Sequence, residues 1–190
     1  MKLTQENIDE FLVTEKFSIF SGICPLDINK QMIEDAKKQS YPNTNKTNVK
    51  AKMTGWNVHT PTTDKLTNWI KEIIIDVTKT YHTTYEVVDS WFAHYTQGDH
   101  TINHCHYPQM WSFVYFVQSS PNSAPLVFTT SRTAVQPEQN RVVIFPSWIY
   151  HFVPNNNSDD RIVFSGNIGV DNSGSPIGSY YPSTSTLVLN

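Results

Sequence analysis

His104, His106, His151 and Arg161 are the residues of this chain whose types and spacing could do chemistry together. The first two form His104-Cys105-His106. Strand side chains alternate sides, so a strand here would present both imidazoles on one face. His151 follows about 45 residues later. It ends Phe145-Pro146-Ser147-Trp148-Ile149-Tyr150-His151, behind the β-rich run Arg141-Val142-Val143-Ile144-Phe145. Neutral imidazole is a ligand for iron, zinc and copper alike. Arg161 opens the apolar run Ile162-Val163-Phe164-Ser165, and a buried guanidinium needs an anionic partner. No acidic residue in 110–118 or 141–146 supplies one, so a ligand carboxylate is expected. The four residues read as a metal site with an anion clamp beside it.

The elements that must position them lie mostly after residue 85. Strands are predicted at 86–96, 100–106, 110–118, 125–130, 141–146, 149–153 and 161–169, separated by turn clusters such as Pro154-Asn155-Asn156-Asn157-Ser158-Asp159-Asp160. A run of short strands without intervening helices argues for a jelly roll or sandwich. Two helices precede it. Residues 26–38 carry Ile28, Met32, Ile33 and Ala36 on one side, and 63–81 carry Leu66, Trp69, Ile70, Ile73, Ile74 and Val77. Phe11-Leu12-Val13 and Phe17-Ser18-Ile19-Phe20 read as short strands, Gly55-Trp56-Asn57-Val58 as extended, and 40–50 as loop. The fold class expected is mainly β with N-terminal helices, a jelly roll buttressed by two helices. Residues 1–190 would form a single domain: 1–84 the helical and strand buttress, 85–170 the jelly-roll core, and 171–190 a C-terminal arm with a terminal strand at Thr186-Leu187-Val188-Leu189.

Composition narrows the function. With 38% hydrophobic and 13% aromatic residues, the chain is an ordered globular protein. A net charge of −3 with dispersed basic residues leaves no footprint for nucleic acid. The N-terminus has no apolar signal core, and no apolar run reaches the ~18 residues of a membrane span. Cys24 and Cys105 make no disulfide framework. A soluble, cytoplasmic setting is expected, with the oligomeric state left open.

His104-Cys105-His106-Tyr107-Pro108, Phe145-Pro146-Ser147-Trp148-Ile149-Tyr150-His151 and Arg161-Ile162-Val163-Phe164-Ser165-Gly166-Asn167 resemble the double-stranded β-helix of Fe(II)/2-oxoglutarate-dependent dioxygenases. Within that superfamily they look most like a bacterial and phage branch marked by His-x-His-x-Pro and Phe-Pro-Ser-Trp-x-x-His, and they are prolyl-hydroxylase-like. The resemblance covers roughly residues 88–169. It implies that His104, His106 and His151 bind Fe(II), and that Arg161 pairs with the distal carboxylate of 2-oxoglutarate, the cosubstrate used with O2. It also implies cosubstrate-side roles for Tyr115, Tyr95 and Ser165. The reaction implied is hydroxylation of a small-molecule or peptide substrate, a proline residue being the first expectation. The loop at 40–62, with Trp56 and His59, would form the substrate rim.

One departure separates the chain from the wider superfamily, whose triad is two histidines and a carboxylate. Here His106 stands in the middle position and removes one negative charge, which leaves the metal's identity open. Asp99, Asp159 and Asp160 have the spacing of turn residues, not of the missing carboxylate. Two other readings stay open. In the first, a three-histidine cupin-type metal dioxygenase without 2-oxoglutarate fits Gly98, His104-x-His106 and Pro146 with His151. It lacks the glutamate expected after His106 and leaves Arg161 without a task. The second is a non-catalytic jelly-roll binding module, with His94, His100, His104 and His106 as a surface cluster.

Overall fold

The computed structural model describes residues 17–170. The strand expected at Phe11–Val13, the arm at 171–190 and its strand at Thr186–Leu189 lie outside the described residues. In chain order the elements are β1 (Phe20–Ile23), α1 (Asn29–Lys37), β2 (Val49–Lys50), β3 (Lys52–Met53), α2 (Pro61–Thr78), β4 (Tyr85–Tyr95), β5 (His100–His104), β6 (Trp111–Gln118), β7 (Leu126–Phe128), β8 (Thr133–Val135), β9 (Arg141–Pro146), β10 (His151–Val153) and β11 (Arg161–Val170). They build two antiparallel sheets, one of six strands in the order β1-β9-β6-β11-β4-β3 and one of five in the order β2-β5-β10-β7-β8. This is the jelly roll expected, and both helices pack on the six-stranded sheet, α1 against β6 and α2 against β4.

Two cores follow from that layering. Met53, Trp91, Phe116, Leu126, Phe128 and Phe145 fill the space between the sheets. Met32, Leu66, Ile70, Phe92, Phe113 and Phe164 fill the space between the six-stranded sheet and the helices. Central strands of that sheet are therefore buried on both faces, as β6 and β11 are along nearly their whole length. At Gly166 the backbones come so close that an added Cβ would sit 2.6 Å from the Asp89 carbonyl oxygen and 2.8 Å from the Phe113 ring.

The helix ends depart from the sequence expectation for local reasons. α2 begins at Pro61, two residues early, because Thr60 caps it: its hydroxyl accepts from Thr63 N–H at 3.1 Å, and Pro61 needs no donor partner there. The same hydroxyl donates to Asp35 Oδ2 at 2.6 Å, tying α2 to α1. α2 ends at Thr78 because Lys79 turns left-handed, with φ 58°. α1 is shorter than 26–38 and starts behind Ile28, which offers no side-chain cap. β2 and β3 lie within 40–62, which reads as loop from sequence. The stretch Gly55–Val58 forms no strand, and meets β4 through a bridge from Asn57 to Ser90, the Ser90 hydroxyl on Val58 O and the Trp56 ring on Trp91. No helix among the described residues is long and apolar enough to cross a membrane.

Candidate metal centre and anion pocket

The 45-residue gap between the histidines closes through strand register. In the five-stranded sheet β5 and β10 are antiparallel neighbours, and His104 is the direct partner of His151. β5 ends at His104, two residues before the predicted end at 106. His106 is held next to it by the motif itself, its backbone N–H donating to Ser147 O at 2.7 Å. Ser147 N–H donates in turn to Met110 O at 3.0 Å. The three rings sit 4.4–5.2 Å apart between centroids. Each can offer one nitrogen, and these nitrogens all lie within 4.8 Å of one another.

The ring orientations suit a cation. Nδ1 of His104 donates to the Ile102 carbonyl at 2.7 Å, and Nδ1 of His151 to the Ile149 carbonyl at 3.0 Å. A carbonyl can only accept, so both rings carry their proton on Nδ1 and keep a lone pair on Nε2. A cation with ~2.0–2.1 Å bonds to imidazole, as zinc has, needs its nitrogens no more than about 4.2 Å apart. Loading would draw the nitrogens closer together, and the donor set fits a divalent transition metal.

Electrostatics keeps the rings neutral. Burial, then repulsion from His151 and His104, holds His106 down at about 3. Burial, then repulsion from His104, holds His151 at about 4. Burial also lowers His104. Protons therefore compete weakly with a cation. Zn(II) affinity measured by calorimetry is expected to fall less steeply from about pH 8 to 5.5 than three ordinary imidazoles, at about tenfold each, would make it. Metal-free stability should show the converse. The folded values lie below the unfolded value of ~6.5, so the unfolded chain takes up protons first. Stability is then full above about pH 6.5 and falls as the pH drops toward about 4.

Arg161 faces the same cavity from the opposite sheet, with Tyr95, Ser165, Val163 and the three histidines among its lining. The cavity is small, about 40 Å³, and opens to solvent. Arg161 opens β11 as the direct partner of Tyr95, its guanidinium 4.3 Å from the centre of the Tyr95 ring and 5.5 Å from that of Phe116. The Tyr95 hydroxyl bonds Thr101 Oγ1 at 2.7 Å, three residues before His104 on β5. That bond ties the arginine's end of the cavity to the strand that carries His104. Arg161 is only 1% exposed, its Nε donates to Ala124 O at 3.0 Å, and its Nη1 is buried with no partner. No carboxylate pairs with it among the described residues. Burial pulls its pKa down, as expected of a cation held without an anion.

The remaining sequence candidates divide. Tyr95 and Ser165 line the cavity with Arg161. Tyr115 does not, and this corrects the role drawn from the resemblance. Side chains alternate along β6, so Val114 and Phe116 face the inter-sheet core while Phe113, Tyr115 and Val117 face the helices. Its hydroxyl lies 3.0 Å from Asn140 Oδ1 and 3.3 Å from Asn29 Oδ1, and it can donate to only one at a time. Trp56 is 44% exposed at the rim, its ring against Trp91, which in turn lies 5.8 Å from His106. His59 lies apart from that rim, beside Asp64 at the start of α2. Asp99 is a turn residue, accepting from Thr96 N–H and hydroxyl, and Gly98 beside it adopts φ 86°. Cys24 and Cys105 are free thiols. His94 and His100 stand outside the cluster, near Asp159 O and Gly98 O. Asn167, Asp89, Ser112 and Phe145, which pack around the histidines, receive no site role from the sequence, although Asn167 and Phe145 stand in its motifs. Asn167 shares strand parity with Arg161 and Ser165, and that is the signal that could have found it.

No protein-family model matches this sequence, and comparison with curated proteins finds no match. Solved structures do resemble it. The viral collagen prolyl hydroxylase of Paramecium Bursaria Chlorella virus-1, in its 2-oxoglutarate complex, is 15% identical with a TM-score of 0.63, covering 81% of this chain and 96% of its own. A prolyl-4-hydroxylase of Pseudomonas putida is 16% identical with a TM-score of 0.62, covering 80% and 91%. HygX of Streptomyces hygroscopicus, with nickel, 2-oxoglutarate and hygromycin B bound, is 8% identical with a TM-score of 0.60, covering 80% and 82%. The chain therefore has the jelly-roll fold found in prolyl hydroxylases and related 2-oxoglutarate-binding proteins.

Proposed function

We propose that this protein is an Fe(II)- and 2-oxoglutarate-dependent oxygenase that hydroxylates an organic substrate. One observation carries the reading: a fully buried arginine with an unpaired Nη1 opens into the cavity that holds three converging, neutral histidines. A dicarboxylate that reaches from that guanidinium toward a cation on the histidines satisfies both. A three-histidine centre that needs no dicarboxylate gives Arg161 nothing to bind.

In this reading His104, His106 and His151 hold the iron through neutral nitrogens. Arg161 receives the distal carboxylate, where a planar fork suits two oxygens. The Tyr95 and Phe116 rings flank the guanidinium and keep it aimed, and Ser165 lines the same cavity. Bound iron supplies the chemistry of O2 activation coupled to oxidative decarboxylation of 2-oxoglutarate to succinate. The protein's part is to fix the ligands and keep a dry wall of Trp91, Phe145 and Val114 around them.

For the substrate we favour a peptide or protein segment, with proline the first residue to test. A groove of about 570 Å³ is lined by Phe17, Ile19, Ser131, Trp148, Ile149 and Tyr150, the last three in the segment that leads into His151. Its aromatic walls, with Phe17 and Trp148 edge to face at 5.6 Å, suit an extended chain carrying apolar rings.

Anaerobic addition of Fe(II) and then 2-oxoglutarate to purified protein tests the assignment. A visible charge-transfer absorption that requires both additions, followed by succinate formation on admitting air, is expected. Metal binding without any response to 2-oxoglutarate would overturn it.

A further inference from the structure

His106 differs from its two partners in one respect. The Nδ1 atoms of His104 and His151 face carbonyl oxygens, whereas Nδ1 of His106 faces Nδ2 of Asn167 at 3.4 Å. Asn167 is 3% exposed and held on both ends of its amide. Its Nδ2 donates to Asp89 Oδ1 at 2.7 Å, and its Oδ1 accepts from the Ser112 hydroxyl at 2.7 Å. The Ser112 hydroxyl also lies 2.8 Å from Ser147 Oγ, in the segment that anchors the His106 backbone.

An amide nitrogen only donates, so His106 Nδ1 must accept from it. A neutral imidazole that accepts at Nδ1 carries its proton on Nε2. That is the nitrogen left to meet a cation, and a protonated nitrogen has no lone pair to give. The Asp89 carboxylate enforces this state when ionised, its Oδ1 lying 2.7 Å from Nδ2. An ionised carboxylate accepts only, so it keeps Nδ2, and not Oδ1, of Asn167 turned toward itself.

Resting on the metal-site reading above, we infer that Asn167 is a positioning residue that selects the His106 tautomer, and that Asp89 locks it in the orientation that withholds His106 from the metal. Loading then requires the Asn167 amide to turn over. Oδ1 would accept from His106 Nδ1–H, and Nδ2 would donate to Ser112 Oγ, whose hydroxyl rotates to donate to Ser147 Oγ. The ring proton moves from Nε2 to Nδ1, with no net proton gained or lost. The cost is an amide oxygen facing the Asp89 carboxylate. His106, the residue that stands where related sites carry a carboxylate, thus becomes the conditional ligand of the three.

The test separates this from plain electrostatics. Asp89→Asn removes a negative charge close to a cation site, and on charge alone should weaken cation binding. The carboxamide it introduces can instead donate to a turned Asn167, which removes the lock. Zn(II) affinity by calorimetry is therefore expected to rise by ~10-fold, within the range that outer partners of ligating histidines command. Long-range 1H–15N spectra of the metal-free wild type should show His104 and His151 protonated on Nδ1 and His106 on Nε2. Zn(II) should move the His106 proton to Nδ1, and Asp89→Asn, whose carboxamide can pair with Asn167 in either orientation, should let the Nδ1 tautomer appear without metal. A wild-type His106 already protonated on Nδ1, or weaker Zn(II) binding by Asp89→Asn, would overturn the assignment. The wild-type spectrum needs no variant to fold and no catalysis. If neither Zn(II) nor Fe(II) bound, the oxygenase reading would fall, while the tautomers would still decide the role of Asn167.

Discussion

Arg161→Met is expected to fold as stably as the wild type without ligands and to bind 2-oxoglutarate at least ~30-fold more weakly. Both halves come from the same geometry. Truncating one partner of a buried charged hydrogen bond costs about 2–5 kcal/mol of binding, and about 1.4 kcal/mol is tenfold. In the ligand-free protein, however, the guanidinium makes one described hydrogen bond, to Ala124 O, and leaves Nη1 unpaired. Replacing even a buried ion pair by apolar chains of similar volume is often neutral or stabilising by about 1–4 kcal/mol, and a buried cation without its anion is worse placed than a pair. Against that stand the unpaired Ala124 carbonyl, about 1–3 kcal/mol, and the stacking on Tyr95 and Phe116, about 0.5–2 kcal/mol. The opposing effects nearly cancel. Thermal melts with Zn(II), with and without 2-oxoglutarate, read both at once. The wild type should gain stability from the dicarboxylate and Arg161→Met should not, while both keep the metal. A variant that unfolds would mean that Arg161 is already paired inside the protein. A variant that binds 2-oxoglutarate normally would put the anion site elsewhere.

The residues legible in the sequence are those whose chemistry is conspicuous where it stands. An arginine opening an apolar strand and a histidine pair facing a third are anomalies against their surroundings, and both share one cavity. The long helix α2 is legible because one of its faces is apolar along its length. Tyr115 escapes a correct assignment because β6, Trp111-Ser112-Phe113-Val114-Tyr115-Phe116-Val117-Gln118, is buried on both faces. Such a strand has no polar alternation, so its parity relative to Arg161 cannot be taken from pattern. β2 and β3 are invisible in the sequence because two residues set among lysines and threonines carry no period, and their pairing with β5 and β4 makes them strands. Asn167, Asp89 and Ser112 are ordinary polar residues in sequence. Only the register β4–β11–β6, which puts Asp89 and Ser112 on either side of Asn167, turns them into a network.

His151→Ala should lower Zn(II) and Fe(II) affinity by more than ~100-fold, beyond the ~10–100-fold that outer partners of a ligand command. His151 sits at the centre of the arrangement. It pairs with His104 across β5 and β10, its ring lies 4.8 Å from Phe145 and 6.2 Å from Phe128, and its Nδ1–H is fixed on Ile149 O. A ligand held that firmly spends little conformational entropy on binding, so its loss cannot be made good by a neighbour. Among the described residues no other His, Cys, Asp or Glu belongs to the cluster. The alanine protein should still fold, because the deleted ring is neutral and its one described hydrogen bond is to a carbonyl on the adjacent turn. It should also show a shallower loss of stability between about pH 6.5 and 4, since one buried imidazole no longer has to stay unprotonated. His94→Ala and His100→Ala are the controls, and both should bind metal as the wild type does, because their rings bond backbone oxygens outside the cavity. Equal losses in all three variants would favour a diffuse surface cluster, whereas loss confined to His151→Ala is what a single three-histidine centre requires.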